Sequence, residues 1–200
     1  MAGARRESRG TVEQVRQLRL HVPLPEGLGW VDLLVERARS GDLAAFEQLA
    51  ERSMPEVYRL AVAMVGPDDG RDVAQEALVT AWIELPTLRQ PERFESWLRS
   101  IVMNRARNTL RRRRRHPTVS LIEGHTRSLV DEPVSTIQRR IDLDAAFGGL
   151  TTEQREVLVL HYVVDLPLRE VASVLGLREG TAKSRLHAGL RSLRSRLHER

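Results

Sequence analysis

Residues 70–85 read Gly70-Arg71-Asp72-Val73-Ala74-Gln75-Glu76-Ala77-Leu78-Val79-Thr80-Ala81-Trp82-Ile83-Glu84-Leu85, and this stretch decides the fold. Its apolar residues recur at helical spacing. At about 100° per residue, Val73, Ala74, Ala77, Leu78, Ala81, Trp82 and Leu85 fall on one stripe, which a helix buries against its neighbours. Asp72, Gln75, Glu76, Val79 and Ile83 fall in a sector of about 100° on the other side. A face meant only for water has no use for Val79 and Ile83 at its middle. Acid, amide and aliphatic groups together suit a protein partner. The plain alternative is an ordinary surface with two stray apolar residues.

Helical periodicity continues on both sides of this stretch. From Trp30, the residues Val31, Leu34, Val35 and Ala38 share a face. Gly41-Asp42 breaks that helix, and Asp42 caps the next, which buries Leu43, Phe46 and Leu49. A separate helix is predicted from Pro55 to Val65, with proline in its first turn and Gly66-Pro67 at its end. Asp68 or Asp69 caps the quoted helix, Pro86 stops it, and Leu88–Glu92 form a loop.

A helix over 93–114 follows and buries Phe94, Leu98, Ile101 and Val102. Its second face presents Ser96, Ser100, Met103, Asn104, Arg107, Asn108 and Arg111, and Arg111–Arg115 then form an unbroken basic run. Arginine supplies phosphate contacts, and asparagine can make paired hydrogen bonds to a base edge. Phe94 and Trp97 could offer ring faces to unstacked bases, although rings at this spacing more often belong to a core.

The expected architecture is all-α: two small helical domains joined by a flexible linker. Residues 1–29 form a weakly ordered extension and 30–115 the first domain. Residues 116–133, rich in Ser, Thr, Pro and Gly, are the linker, and 134–200 the second domain. In the second domain, 134–147 are helical and Gly148-Gly149 turn the chain. Thr151 with Gln154 forms a capping box for a helix through Val163. Leu168–Leu175, a turn at Gly176 and a helix over Gly180–Leu197 then make a helix-turn-helix, with Ala172 small at the crossing and Gly176 supplying a positive φ. Lys183, Ser184 and His187 lie outward, while Leu186, Leu190 and Leu193 face in. The N-terminal residues of such a second helix meet base edges in the major groove.

Charge follows the same division. The 200 residues carry a formal +5, but residues 31–92 sum to −6, residues 93–115 to +8 and residues 150–200 to +3. Two basic segments and one acidic segment suit two polyanion contacts and a separate surface for something else. Lys183 is the only lysine. The chain has no cysteine, which removes disulfides, zinc fingers and thiol catalysis. No apolar run approaches the roughly 18 residues of a membrane span, and no apolar segment follows Arg5, Arg6 and Arg9 to make a secretory signal. No paired carboxylates share a face with a histidine cluster, and His161, His187 and His198 lie apart from the acidic helix. No enzyme, catalytic residue, metal or cofactor is therefore expected.

These residues resemble a known family. Asp72–Trp82 is similar to region 2.2 of sigma-70 factors. Phe94-Glu95-Ser96-Trp97-Leu98, with Ile101 and Asn104, resembles regions 2.3 and 2.4 of the extracytoplasmic-function group. Leu168–Arg185 resembles region 4.2. The likeness covers about 165 residues in order and implies a transcription initiation factor. Asp72, Gln75, Glu76, Val79 and Ile83 would dock on the clamp helices of the largest polymerase subunit, β′. The loop Leu88–Arg93 would hold a base flipped from the −10 non-template strand. Arg89, Arg93, Asn104, Arg107, Asn108, Arg111 and Arg113 would contact the −10 element. Thr181, Lys183, Ser184, Arg185 and His187 would contact the −35 major groove. The partners implied are core RNA polymerase (β′ clamp helices and β flap) and promoter DNA, with room for an anti-sigma factor. The protein would be cytoplasmic and nucleoid-associated. Ala182 stands where the family usually has valine. Ala188 and Gly189 stand where an arginine and a small residue are common, so no −35 sequence is implied.

Two rivals remain at this point: a helix-turn-helix regulator acting alone, and a sigma mimic that sequesters an anti-sigma factor. The two-faced helix argues against the first, and the intact basic recognition helix against the second. The linker of 18 residues spans at most about 60 Å, more than the roughly 34 Å of one DNA turn.

Overall fold

A computed structural model describes residues 29–115, 147 and 149–198. The extension 1–28, the linker 116–133 and the helix expected over 134–147, apart from Phe147, lie outside the described residues. Every regular element among those described is helical. The order is α1 (Trp30–Arg39), α2 (Leu43–Val65), α3 (Pro67–Glu84), short 3-10 turns at Leu85–Thr87 and Pro91–Arg93, α4 (Phe94–Arg115), α5 (Thr152–Tyr162), α6 (Leu168–Leu175) and α7 (Glu179–His198).

Helices α1 to α4 pack around α2, which touches α1, α3 and α4. Asp42 caps α2 as the sequence predicts, accepting from the Ala45 amide at 3.1 Å. Arg37 grips the same carboxylate at 2.6 Å, and that hydrogen bond holds the Asp42 carboxyl below its ordinary range. The separate helix expected from Pro55 does not exist: α2 runs unbroken through it. A proline inside a helix costs about 3 kcal/mol. Phe46 and Leu49 before it, and Val57, Leu60, Ala61 and Met64 after it, are all buried in one core, and this packing keeps the two halves in a single rod.

Helix α3 opens three residues before the quoted stretch. Gly66 turns the chain at φ 88°, and Pro67 takes the first helical position, where no amide donor is needed. The stripe Val73, Ala74, Ala77, Leu78, Ala81 and Leu85 is buried as predicted, and Trp82 packs its ring 5.0 Å from that of Phe46.

Helices α5, α6 and α7 form a second cluster, each touching the other two. The capping box at α5 is present: Thr151 accepts from the Gln154 amide at 3.2 Å, and the Gln154 side chain accepts from the Thr151 amide at 3.1 Å. The two clusters are not apart. Helix α4 packs against α6 and α5, and α2 against α5, within one continuous buried cluster.

Candidate nucleic-acid and partner interfaces

The outer face of α3 is open. Asp72, Gln75 and Glu76 are exposed, and Val79 and Ile83 stand 60% and 68% exposed. The five residues expected to meet a protein partner thus share one free surface. Its backing is fixed. Arg105 on α4 donates to the Thr80 hydroxyl at 2.6 Å, and that hydroxyl donates to the Glu76 carbonyl at 2.7 Å.

Helix α4 carries most of the residues assigned to the −10 element. Asn104, Asn108 and Arg111 are exposed, as are Arg89 and Arg93 beside the 3-10 turns. Asn108, Arg111, Arg112 and Arg115 line one basic recess. One expectation changes here, at Met103. Phe94 is 2% exposed, in the core that its spacing favours. Trp97, with its ring 6.0 Å from that of Phe94, is half-buried. Met103, expected on the presented face, is 1% exposed, on a helix that α6 and α5 cover. Arg113, assigned to phosphate, binds Asp69 at 2.7 Å and the Val65 carbonyl at 2.9 Å, tying α4 back to α3 and α2.

Arg107 is also engaged. Its guanidinium donates from Nε to Glu156 Oε1 at 2.7 Å and from another nitrogen to the Asn104 side-chain oxygen at 2.9 Å. Glu156, on α5, is 1% exposed. Burial raises its carboxyl above the ordinary value, and the Arg107 charge opposes that rise. Sequence reasoning missed Glu156. The signal was there: an acid four residues before Leu160, beside Val157, on the apolar side of its helix.

The helix-turn-helix has the expected joint. Gly176 adopts φ 64° and ψ 35°, and its amide returns to Ala172 and Ser173. Helix α7 begins at Glu179, one residue before the predicted start. Thr181, Lys183, Ser184 and His187 are exposed along its first turns and Arg185 is half-buried, while Ala182 and Leu186 are buried beneath. Gly189 has a packing reason: a Cβ there would stand 2.8 Å from Leu158 Cδ1. Lys183, Ser184 and His187 repeat at the spacing of one helix face, suited to the edges of a major groove.

Among the described residues no group of His, Cys, Asp and Glu could hold a metal ion, and no helix is long and apolar enough to cross a membrane.

Comparison with known proteins agrees with this layout. The family profile described as Sigma-70 region 2 matches residues 49–116, and that described as Sigma-70, region 4 matches residues 134–193. The ECF RNA polymerase sigma factor SigM of Mycobacterium tuberculosis is 31% identical over 147 residues, 73% of this chain and 74% of that protein. The ECF RNA polymerase sigma factor SigE of Mycolicibacterium smegmatis is 32% identical over 167 residues, 79% of this chain, which spans 65% of that relative's length. Among solved structures, CnrH in complex with the cytosolic domain of CnrY superposes with a TM-score of 0.65 at 26% identity, covering 84% of this chain and 97% of CnrH. With the acidic-aliphatic face on α3, the basic face on α4 and the helix-turn-helix in their family order, the chain belongs to the extracytoplasmic-function group of sigma-70 factors, transcription initiation factors that direct RNA polymerase to promoters.

Proposed function

We propose that this chain binds core RNA polymerase through the α3 face, takes the −10 non-template strand along α4 and the Leu88–Arg93 loop, and takes the −35 duplex with α7. It supplies binding energy and strand capture; the polymerase does the chemistry, so the protein is not itself an enzyme. This reading carries with it a cytoplasmic protein working at the nucleoid. Residues 30–115 would be the polymerase and −10 unit and 134–200 the −35 unit.

The observation that carries the proposal is the exposure of Val79 and Ile83, 60% and 68%, among Asp72, Gln75 and Glu76 on a helix whose other face is core. Apolar anchors ringed by polar groups are the usual centre of a protein interface. Ile83→Arg or Asp72→Arg is expected to weaken co-purification with core polymerase by tenfold or more while the far-ultraviolet circular dichroism stays helical. Undiminished capture of core by both variants would remove α3 as the docking face.

A further inference from the structure

Arg105 leaves α4 on the side that packs against α3. The residues one turn away on the same face, Leu98, Ile101, Val102 and Thr109, are all buried. Yet 40% of the Arg105 side chain is exposed, because it runs past this core and emerges at the edge of the open α3 face. There one terminal nitrogen donates to the Thr80 hydroxyl at 2.6 Å, and the other lies 4.0 Å from the Glu76 carboxylate. Thr80 is 9% exposed and gives its own hydrogen to the Glu76 carbonyl at 2.7 Å, so its oxygen is held in place. A separation of 4.0 Å is too long for a hydrogen bond. Thr80 therefore anchors Arg105, while the Glu76 carboxylate, on a side chain 56% exposed, is left open.

A plain tie between helices would close on the acid, and at these exposures an ion pair adds little to stability. A guanidinium has five N–H donors in a planar fork, and Thr80 takes one of them. A side chain anchored in advance also loses less freedom when a partner arrives. We propose that Arg105 belongs to the polymerase-docking surface, which then spans two helices. It carries two acids, Asp72 and Glu76, two apolar anchors, Val79 and Ile83, and one fixed cation at its α4 edge. Such a surface fits a partner that sets basic groups against the acids and a carboxylate against Arg105. This rests on the reading of α3 as the docking face. It is separate from DNA binding, since Asn104, Asn108 and Arg111 lie on a different side of α4.

The test is competition of full-length variants with one dye-labelled parent chain for core polymerase, at several salt concentrations. Arg105→Met keeps the apolar stem and removes the charge; it should weaken binding by roughly fivefold and flatten its salt dependence. Arg105→Glu should weaken it by roughly tenfold or more, since it sets two like charges side by side. Arg105→Lys should recover most of the affinity and the salt dependence of the parent. Thr80→Val removes the anchor and keeps the cation, so binding should weaken less than in Arg105→Met and the salt dependence should remain. Circular dichroism and thermal midpoints report folding, and Arg105→Met carries the test if Arg105→Glu loses helicity. Parental binding by folded Arg105→Met overturns the proposal. So does a loss of affinity in Arg105→Met with unchanged salt dependence, matched by Thr80→Val and by an equal fall in thermal midpoint, which is a tie between helices only. Ile83→Arg checks the docking face separately. If Ile83→Arg binds core normally, the α3 reading falls and the role of Arg105 with it; if Ile83→Arg weakens binding and Arg105→Met does not, only the role of Arg105 falls.

Discussion

At Gly70 the backbone of α3 lies directly against α2. A Cβ at this position would stand 2.6 Å from Val62 Cγ2 and 3.0 Å from Val62 Cα. A rotamer change could move the methyl but not the backbone atom. Alanine in a helix interior is worth about 1 kcal/mol over glycine, while forcing a carbon into a closed contact costs about 1–3 kcal/mol. Gly70→Ala should therefore lower the thermal midpoint. Gly180→Ala, in open space in the first turn of α7, should leave it level or raise it. A Gly70→Ala protein melting above the parent would mean that the helices separate freely there. Single residues also show what sequence could not distinguish. Arg111 to Arg115 are chemically identical, and only the fold turns Arg113 toward Asp69 and the Val65 carbonyl while Arg111 stays on the free side. Phe94 and Trp97 fit either a core or a stacking platform by spacing, and packing puts Phe94 in the core.

Elements were legible wherever one face repeats. The two sides of α3, the cap at Asp42, the box at Thr151 and the left-handed joint at Gly176 follow from local chemistry, and the structure has all four. Local rules failed where a distant partner decides. Pro55 ends a helix by its own preference, and the shared core on both sides overrides it. Met103 belongs to an open face by periodicity, and it is buried on a helix that α6 and α5 cover. Glu156 on α5 has a measurable consequence. Burial holds its carboxyl above the ordinary 4.5; Arg107 and Arg185 pull it down and Glu153 pushes it up. The packed state thus holds this proton more tightly than the unfolded chain. Stability from this group is present as pH falls toward 4.5 and is lost as pH rises through the raised value. Glu156→Gln keeps an oxygen for Arg107 and has no proton to lose. Denaturant midpoints measured from about pH 4.5 to 7.5 should show the variant gaining on the parent as pH rises. A difference independent of pH would mean that Glu156 titrates as an exposed acid.

At the scale of the whole molecule, charge and topology divide the work. The acidic stretch 31–92 carries the candidate polymerase face, and the two basic segments lie on α4 and on the helix-turn-helix. That division was legible from charge and motifs. The contact between the clusters was not, because packing between segments some 50 residues apart leaves no period in the sequence. The packing matters for DNA binding. With Arg107 paired to Glu156 and the exposed basic residues of α4 all arginines, binding of the free chain to promoter duplex should be weak, non-specific and steeply salt-dependent through counterion release. In the holoenzyme the two contacts should separate by the state of the DNA. Helix α7 presents Thr181, Lys183, Ser184 and His187 in a form suited to a duplex groove. Helix α4 presents Asn104 and Asn108 beside the Leu88–Arg93 loop, which suits a splayed strand. Extracting a base costs a few kcal/mol, and contacts made only with the extracted base must offset it; those contacts persist when the strand is supplied single. Asn104→Ala should weaken holoenzyme binding to a single-stranded −10 oligonucleotide, and Lys183→Ala should leave that binding intact while weakening binding to the full duplex promoter, each by roughly 1–3 kcal/mol if a base-edge contact is lost. Arg113→Ala, in which the tie to Asp69 is lost, should act through stability more than through either DNA. Fluorescence anisotropy of the three variants on the two DNAs separates these effects. Equal damage to the single strand from Lys183→Ala and Asn104→Ala would mean that α7 and α4 do not divide duplex from strand.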